Sequence, residues 1–204
     1  MQRRVRFACE LAAAIGFFVA VCPAVAEAHL NSTGLGPIYD GALHLLSSPE
    51  DLVPALALAL LAGLRGPRYG RVALFALPAA WLLGGFAGIA AGHTGGTAAA
   101  VASFPLLGAL VAADAHVSLT LLTALTVSLG LIHGYANGAG MGPLDVGAEA
   151  LVGLAVTLFV VTALVVGFVV QLRRPWTRIA VRVLGSWVAA SGVLMLGWAL
   201  HSTH

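Results

Sequence analysis

Several side chains in this sequence sit where their neighbours make them costly. The stretch G-P-I-Y-D-G-A-L-H-L-L-S-S-P-E-D-L-V-P carries Asp40, His44, Glu50 and Asp51 in an otherwise apolar run. Further on, I-H-G-Y-A-N-G sets His133 and Asn137 four residues apart, on one face of a helix. An ionisable group within a membrane span costs several kcal/mol unless it faces a polar interior, which makes His44 and Asp51 the sharpest candidates and His133 the next. Neutral imidazole with carboxylate oxygen suits divalent first-row metals such as nickel, cobalt and zinc. On one continuous helix, at about 100° per residue, Asp40, His44 and Asp51 fall within about 40° of one another as a single polar stripe. Pro49 and Pro54 count against that continuity, and a break there would turn backbone carbonyls toward the interior instead.

Each of these residues also has a plainer reading. Helix capping or water exposure accounts for Asp40 and Glu50 as well as ligation does. A hydrogen bond to a neighbouring helix would account for His133. His93, in A-G-H-T-G-G-T, either joins the same site or sits among lipid headgroups. Asp114-Ala-His116 reads as an exit station or proton relay, or equally as the polar content of a short turn. Asp145, His201 and His204 fit ordinary polar helix ends, and Glu149 falls with them on the outer side.

The elements that must position these groups are helices in lipid. Hydrophobic residues make up 60% of the 204, charged residues only 9%, and the mean hydropathy is +0.98. That composition excludes a water-facing surface of normal polarity. With a net charge of +2 and no clustered basic surface interleaved with aromatics, nucleic-acid binding is excluded as well. Residues 1–28 read as a cleaved signal peptide: Arg3, Arg4 and Arg6, then an apolar run, then Ala26-Glu27-Ala28. Cys9 and Cys22 both lie in it, so a metal held by the mature chain, 29–204, would have nitrogen and oxygen ligands only.

A span needs about 20 apolar residues, and the segments that follow are 41–64, 71–91, 98–113, 116–135, 146–172 and 179–200. The expected fold is therefore all-α, a polytopic membrane protein of six transmembrane helices in one domain. The third segment is short and holds Pro105. With the mature N-terminus outside, the inner loops collect Arg65, Arg68, Arg71, Arg173, Arg174, Arg178 and Arg182, every arginine beyond the signal. The positive-inside rule thus expects an inner-membrane protein with both termini on the outer, periplasmic side.

On both polar stretches the sequence resembles the HupE/UreJ family of membrane proteins associated with hydrogenase and urease maturation. That family has a histidine after the signal, a first helix of the form G-F-x-H-P-x-x-G-x-D-H, and H-G-x-A-H-G-x-E later. Here His29, Gly41-Ala-Leu-His44, Glu50-Asp51-Leu52 and His133-Gly134-Tyr135-Ala136 match in order, and the first stretch looks especially like the family's second branch. The chain departs from the pattern in lacking the histidine of the D-H pair, in having Asn137 for the second histidine of the later motif, and in having Gly140 for its acid.

The resemblance implies a permease for nickel or cobalt linked to metalloenzyme maturation. The expected metal-contacting residues are His44, Asp51, His133, Asp40, His29, Glu50, His93 and Asn137. The metal is cargo, and no tightly bound cofactor, nucleic-acid partner or enzymatic activity is expected. The bilayer is the surrounding partner, and a homo-oligomer is compatible with the sequence. Two alternatives from other classes remain: a redox protein holding haem between His93 and His133, and a non-transporting scaffold for metalloenzyme assembly. An intramembrane hydrolase has little support, because no serine or cysteine nucleophile stands near a plausible base.

Overall fold

The computed structural model describes residues 33–92, 97–141, 146–172 and 174–201. The signal segment, His29, His93, Asp145 and His204 lie outside them. The described residues form seven α-helices: α1 (Pro37–Ser47), α2 (Pro49–Arg65), α3 (Pro67–Ala91), α4 (Thr97–Ala112), α5 (Leu119–Met141), α6 (Gly147–Val170) and α7 (Pro175–His201). They contain no strand, so the fold is all-α.

Proline at a first helical position explains several of these starts. Pro37, Pro49 and Pro67 each stand at the head of a helix, where the missing N–H would have no intrahelical acceptor anyway. For the same reason α3 begins at Pro67, four residues ahead of the start that apolar content alone suggests.

The first apolar segment, 41–64, is divided. Ser48 is extended, at φ −102° and ψ 91°, as the residue before a proline is expected to be, and α1 and α2 meet there at a 74° bend. The single stripe of Asp40, His44 and Asp51 on one continuous helix is therefore not formed. The break falls at Ser48–Pro49, whereas Pro54 is accommodated inside α2.

Helices α3, α5, α6 and α7 are long and apolar enough to cross a bilayer, and the bent α1–α2 pair adds a fifth if taken as one broken span. The apolar part of α4, Ala99–Ala112, is shorter. A chain with these helices is a multi-pass membrane protein.

Packing in lipid relies on close backbone approach, which glycine permits. Along α5, a Cβ on Gly130, Gly134 or Gly138 would run into the α3 backbone at Leu77, Trp81 and Gly85 respectively. From the α3 side, Gly84 and Gly88 stand equally close to the α5 backbone at Leu131 and Tyr135. Gly41 and Gly153 play the same part where α1 lies on the first half of α6, against Ala150 and Ile38. Leu45, Leu58, Leu77, Trp81, Leu151 and Leu154, all fully buried, fill the interior between these contacts.

Candidate functional site

Residues from α1, α2 and α5 meet in the interior. Gly134 and Gly138 lie one position after His133 and Asn137, about 100° further round α5. The small stripe that brings α5 against α3 thereby presents the adjacent polar stripe to α1 and α2. There Asp51 accepts from both α5 residues: Oδ1 lies 2.8 Å from His133 Nδ1, and Oδ2 lies 2.8 Å from Asn137 Nδ2. Asn137 Nδ2 also donates to the His133 carbonyl, one turn back, at 2.9 Å. His44 Nε2 reaches Asn137 Oδ1 at 2.8 Å and stands 4.0 Å from Asp51 Oδ2. All four side chains are buried, with His133 at 1% and Asp51 at 5% relative exposure.

The proton arrangement follows from the partners. An Asn137 amide turned the other way would set its oxygen against a carboxylate and a carbonyl, so the amide orientation is fixed by the network. Its Oδ1 must then meet a donor, which places a proton on His44 Nε2. His133 Nδ1 faces a carboxylate oxygen and donates to it. At the other side of the ring, Nε2 meets Ser103 Oγ of α4 at 3.2 Å, while that hydroxyl donates to the Ala100 carbonyl at 2.6 Å. The Trp81 ring closes the remaining side, its centroid 5.4 Å from that of His133.

An imidazole that donates one ring nitrogen to a carboxylate and keeps the other for a further partner has the orientation seen in metal-binding histidines, where the carboxylate fixes the tautomer. The donor atoms here are nonetheless satisfied by one another. Among the described residues, no group of three His, Cys, Asp or Glu side chains is disposed to hold a metal ion. A cation entering this network would have to replace the hydrogen bonds that now link Asp51, His133, Asn137 and His44.

The remaining predicted residues are elsewhere. Asp40 turns back to the preceding loop, accepting from the Thr33 amide at 2.5 Å and the Thr33 hydroxyl at 2.6 Å, which is a local structural role. Glu50 is half-buried in the first turn of α2, where a carboxylate complements the helix dipole. Glu149 and His201 are exposed. Ser103 and Trp81 went unrecognised in the sequence, because a lone serine or tryptophan in an apolar helix gives no signal until a neighbouring helix meets it.

At the opposite end of α5, Asp114 is bonded to two guanidinium groups. Arg178 Nη2 lies 2.7 Å from Oδ2 and 3.0 Å from Oδ1, and Arg65 Nη2 donates to the same Oδ1. Burial would raise the Asp114 carboxyl, but the Arg178 hydrogen bond and the charges of Arg65, Arg178 and His116 outweigh it and hold it below its ordinary value of 3.8. These bonds gather the α2–α3, α4–α5 and α6–α7 connections, the three arginine-side loops, at one end of the bundle. Asp114 is thus occupied in an ion-pair cluster, which takes away the free carboxylate that an exit station for a cation requires.

Comparison with known proteins identifies a family over most of the chain. A family model described as HupE / UreJ protein matches residues 17–195. No curated protein and no solved structure matches the chain.

Proposed function

The chain belongs to the HupE/UreJ family, and from that premise we propose that it is an inner-membrane permease for a divalent transition metal, nickel or cobalt, serving metalloenzyme maturation. The observation that carries the proposal is the buried Asp51, bonded to His133 and Asn137 at 2.8 Å each and faced by His44. A carboxylate and two imidazoles kept at this depth are costly, and such groups mark ion pathways in membrane proteins. In this reading the bent α1–α2 pair and the short α4 complete six crossings, with the arginine end cytoplasmic and both termini outside.

Asp51 supplies the negative charge for a partly dehydrated cation, His44 and His133 supply nitrogen, and Asn137 Oδ1 supplies a further oxygen. Mixed nitrogen and oxygen donors suit nickel, cobalt and zinc. Ligation requires a free nitrogen lone pair: His133 keeps one at Nε2 while Nδ1 donates to Asp51, whereas at His44 the proton on Nε2 would move to Nδ1 as the cation binds. A divalent cation moving inward gains roughly 4–5 kcal/mol per 100 mV of membrane potential, enough for uptake without nucleotide hydrolysis.

Radiometal uptake into proteoliposomes, compared across nickel, cobalt, zinc and manganese, tests this reading. Potential-driven accumulation of nickel or cobalt is expected, abolished in His44→Ala and Asp51→Ala. Equal accumulation in wild type, both variants and empty liposomes would leave a non-transporting accessory role instead.

A further inference from the structure

Charge at the arginine end is unbalanced. Arg65, the last residue of α2, and Arg178, in the first turn of α7, share the single carboxylate of Asp114. No other acid of the described residues lies at this end, whereas Arg68, Arg71 and Arg174 belong to its loops and first helical turns and Arg182, two turns into α7, donates to the Ala112 carbonyl there. The Arg65 side chain is only 6% exposed, and its Nε is buried with no acceptor among the described residues. Beside it lies a cavity of about 370 Å³ lined by Leu64, Arg65, Tyr69, His116, Val117 and Arg178. Each of the four polar side chains in that lining can donate a hydrogen bond, and two are permanently cationic.

We propose that this cavity is a binding site for a phosphate-class oxyanion, taken either from solution as inorganic phosphate or from the headgroup of an anionic phospholipid. Arg65 and Arg178 carry two positive charges against the one carboxylate of Asp114, so an oxyanion entering the cavity they line is favoured. Guanidinium groups match phosphate oxygens in pairs, and basic pockets between membrane helices are suited to lipid headgroups. Asp114 opposes an anion, but two guanidiniums already neutralise it and one positive charge is left in excess. The site is separate from the Asp51 network and does not depend on metal transport.

The test uses the purified full chain in neutral detergent, with the thermal unfolding midpoint followed in two titrations. One adds inorganic phosphate against chloride at matched ionic strength. The other adds phosphatidylglycerol to the micelles against phosphatidylcholine. A saturable rise with phosphate beyond that with chloride identifies a soluble ligand, and one with phosphatidylglycerol beyond phosphatidylcholine identifies a lipid; either supports the site. Arg178→Gln removes the more exposed cation while keeping the Arg65–Asp114 pair, and should raise the half-saturating concentration roughly tenfold. Phosphorus NMR line broadening of the added phosphate or lipid gives a readout independent of stability. Absence of any saturable response in both titrations, or a response that Arg178→Gln leaves unchanged, would overturn the proposal.

Discussion

His44 Nε2 lies 4.0 Å from Asp51 Oδ2 although the two residues belong to different helices joined at a 74° bend. Seven residues along an unbroken helix would separate them by about 10 Å along its axis. The break at Ser48 therefore creates the contact, and Pro49 enforces the break by keeping Ser48 out of the helical region. Pro49→Ala should release Ser48, reduce metal uptake several-fold, and change stability by less than about 1 kcal/mol. Uptake and thermal unfolding measured on the same preparation check this, and undiminished uptake would show that the bend is dispensable.

Asp51 allows its charge to be separated from its hydrogen bonds. Asp51→Ala leaves the His133 Nδ1 and Asn137 Nδ2 donors without their acceptor in a buried place, at a cost of about 2–4 kcal/mol. Asp51→Asn keeps the shape and one acceptor oxygen, so its cost should be roughly 1 kcal/mol. Both variants should lose uptake. Denaturation in detergent beside proteoliposome uptake separates the two roles; an active Asp51→Asn protein would mean that the carboxylate charge is not what attracts the cation.

The backbone contact between α3 and α5 is a test of how the polar stripe is aimed. A Cβ at Gly138 would overlap the Gly85 carbonyl, and neither backbone yields without the helices parting. Gly138→Ala should therefore destabilise the bundle by about 1–3 kcal/mol and displace the neighbouring Asn137 from Asp51. Gly197→Ala, within α7 where an added Cβ meets nothing within 4 Å, is the control and should unfold no lower than the wild type.

Acid should loosen the arginine end in a predictable direction. The Asp114 carboxyl is held below 3.8 in the folded chain. A lowered folded value means that the stabilisation is complete above the ordinary carboxylate value and is lost as pH falls through the folded one. Asp114→Asn removes this contribution and leaves Arg65 without a counter-charge, which at this partial burial costs about 1–3 kcal/mol at neutral pH. The melting temperatures of wild type and variant should converge only below about pH 4. A constant difference down to pH 2 would show that Asp114 stabilises by shape rather than by charge.

The membrane class, the all-α fold and the identity of the polar residues were legible from the chain alone. Hydropathy reports the solvent because each apolar residue contributes independently of its neighbours in space. Charged or polar groups inside an apolar run stand out for the same reason, as His44, Asp51, His133 and Asn137 did. Positive charges confined to alternate loops likewise predicted which connections share an end, and Asp114 joins two of those loops through Arg65 and Arg178. Spacing along the chain does not decide where a side chain turns: Asp40 shares a helix with His44, and its carboxylate accepts from Thr33.

Tertiary structure alone decided which of these groups meet and through which atoms. Sequence supplied Pro49 as a possible break, but the direction of the bend depends on where α1 finds room against α6, at Gly41 and Gly153. It supplied Asn137 as a missing histidine; packing turned it into the bridge between His44 and Asp51. The physical reason is one of range. Hydrophobicity, helix period and proline restriction act within a few residues, whereas a hydrogen bond between residues 82 or 86 positions apart exists only after the glycine faces have brought the backbones together.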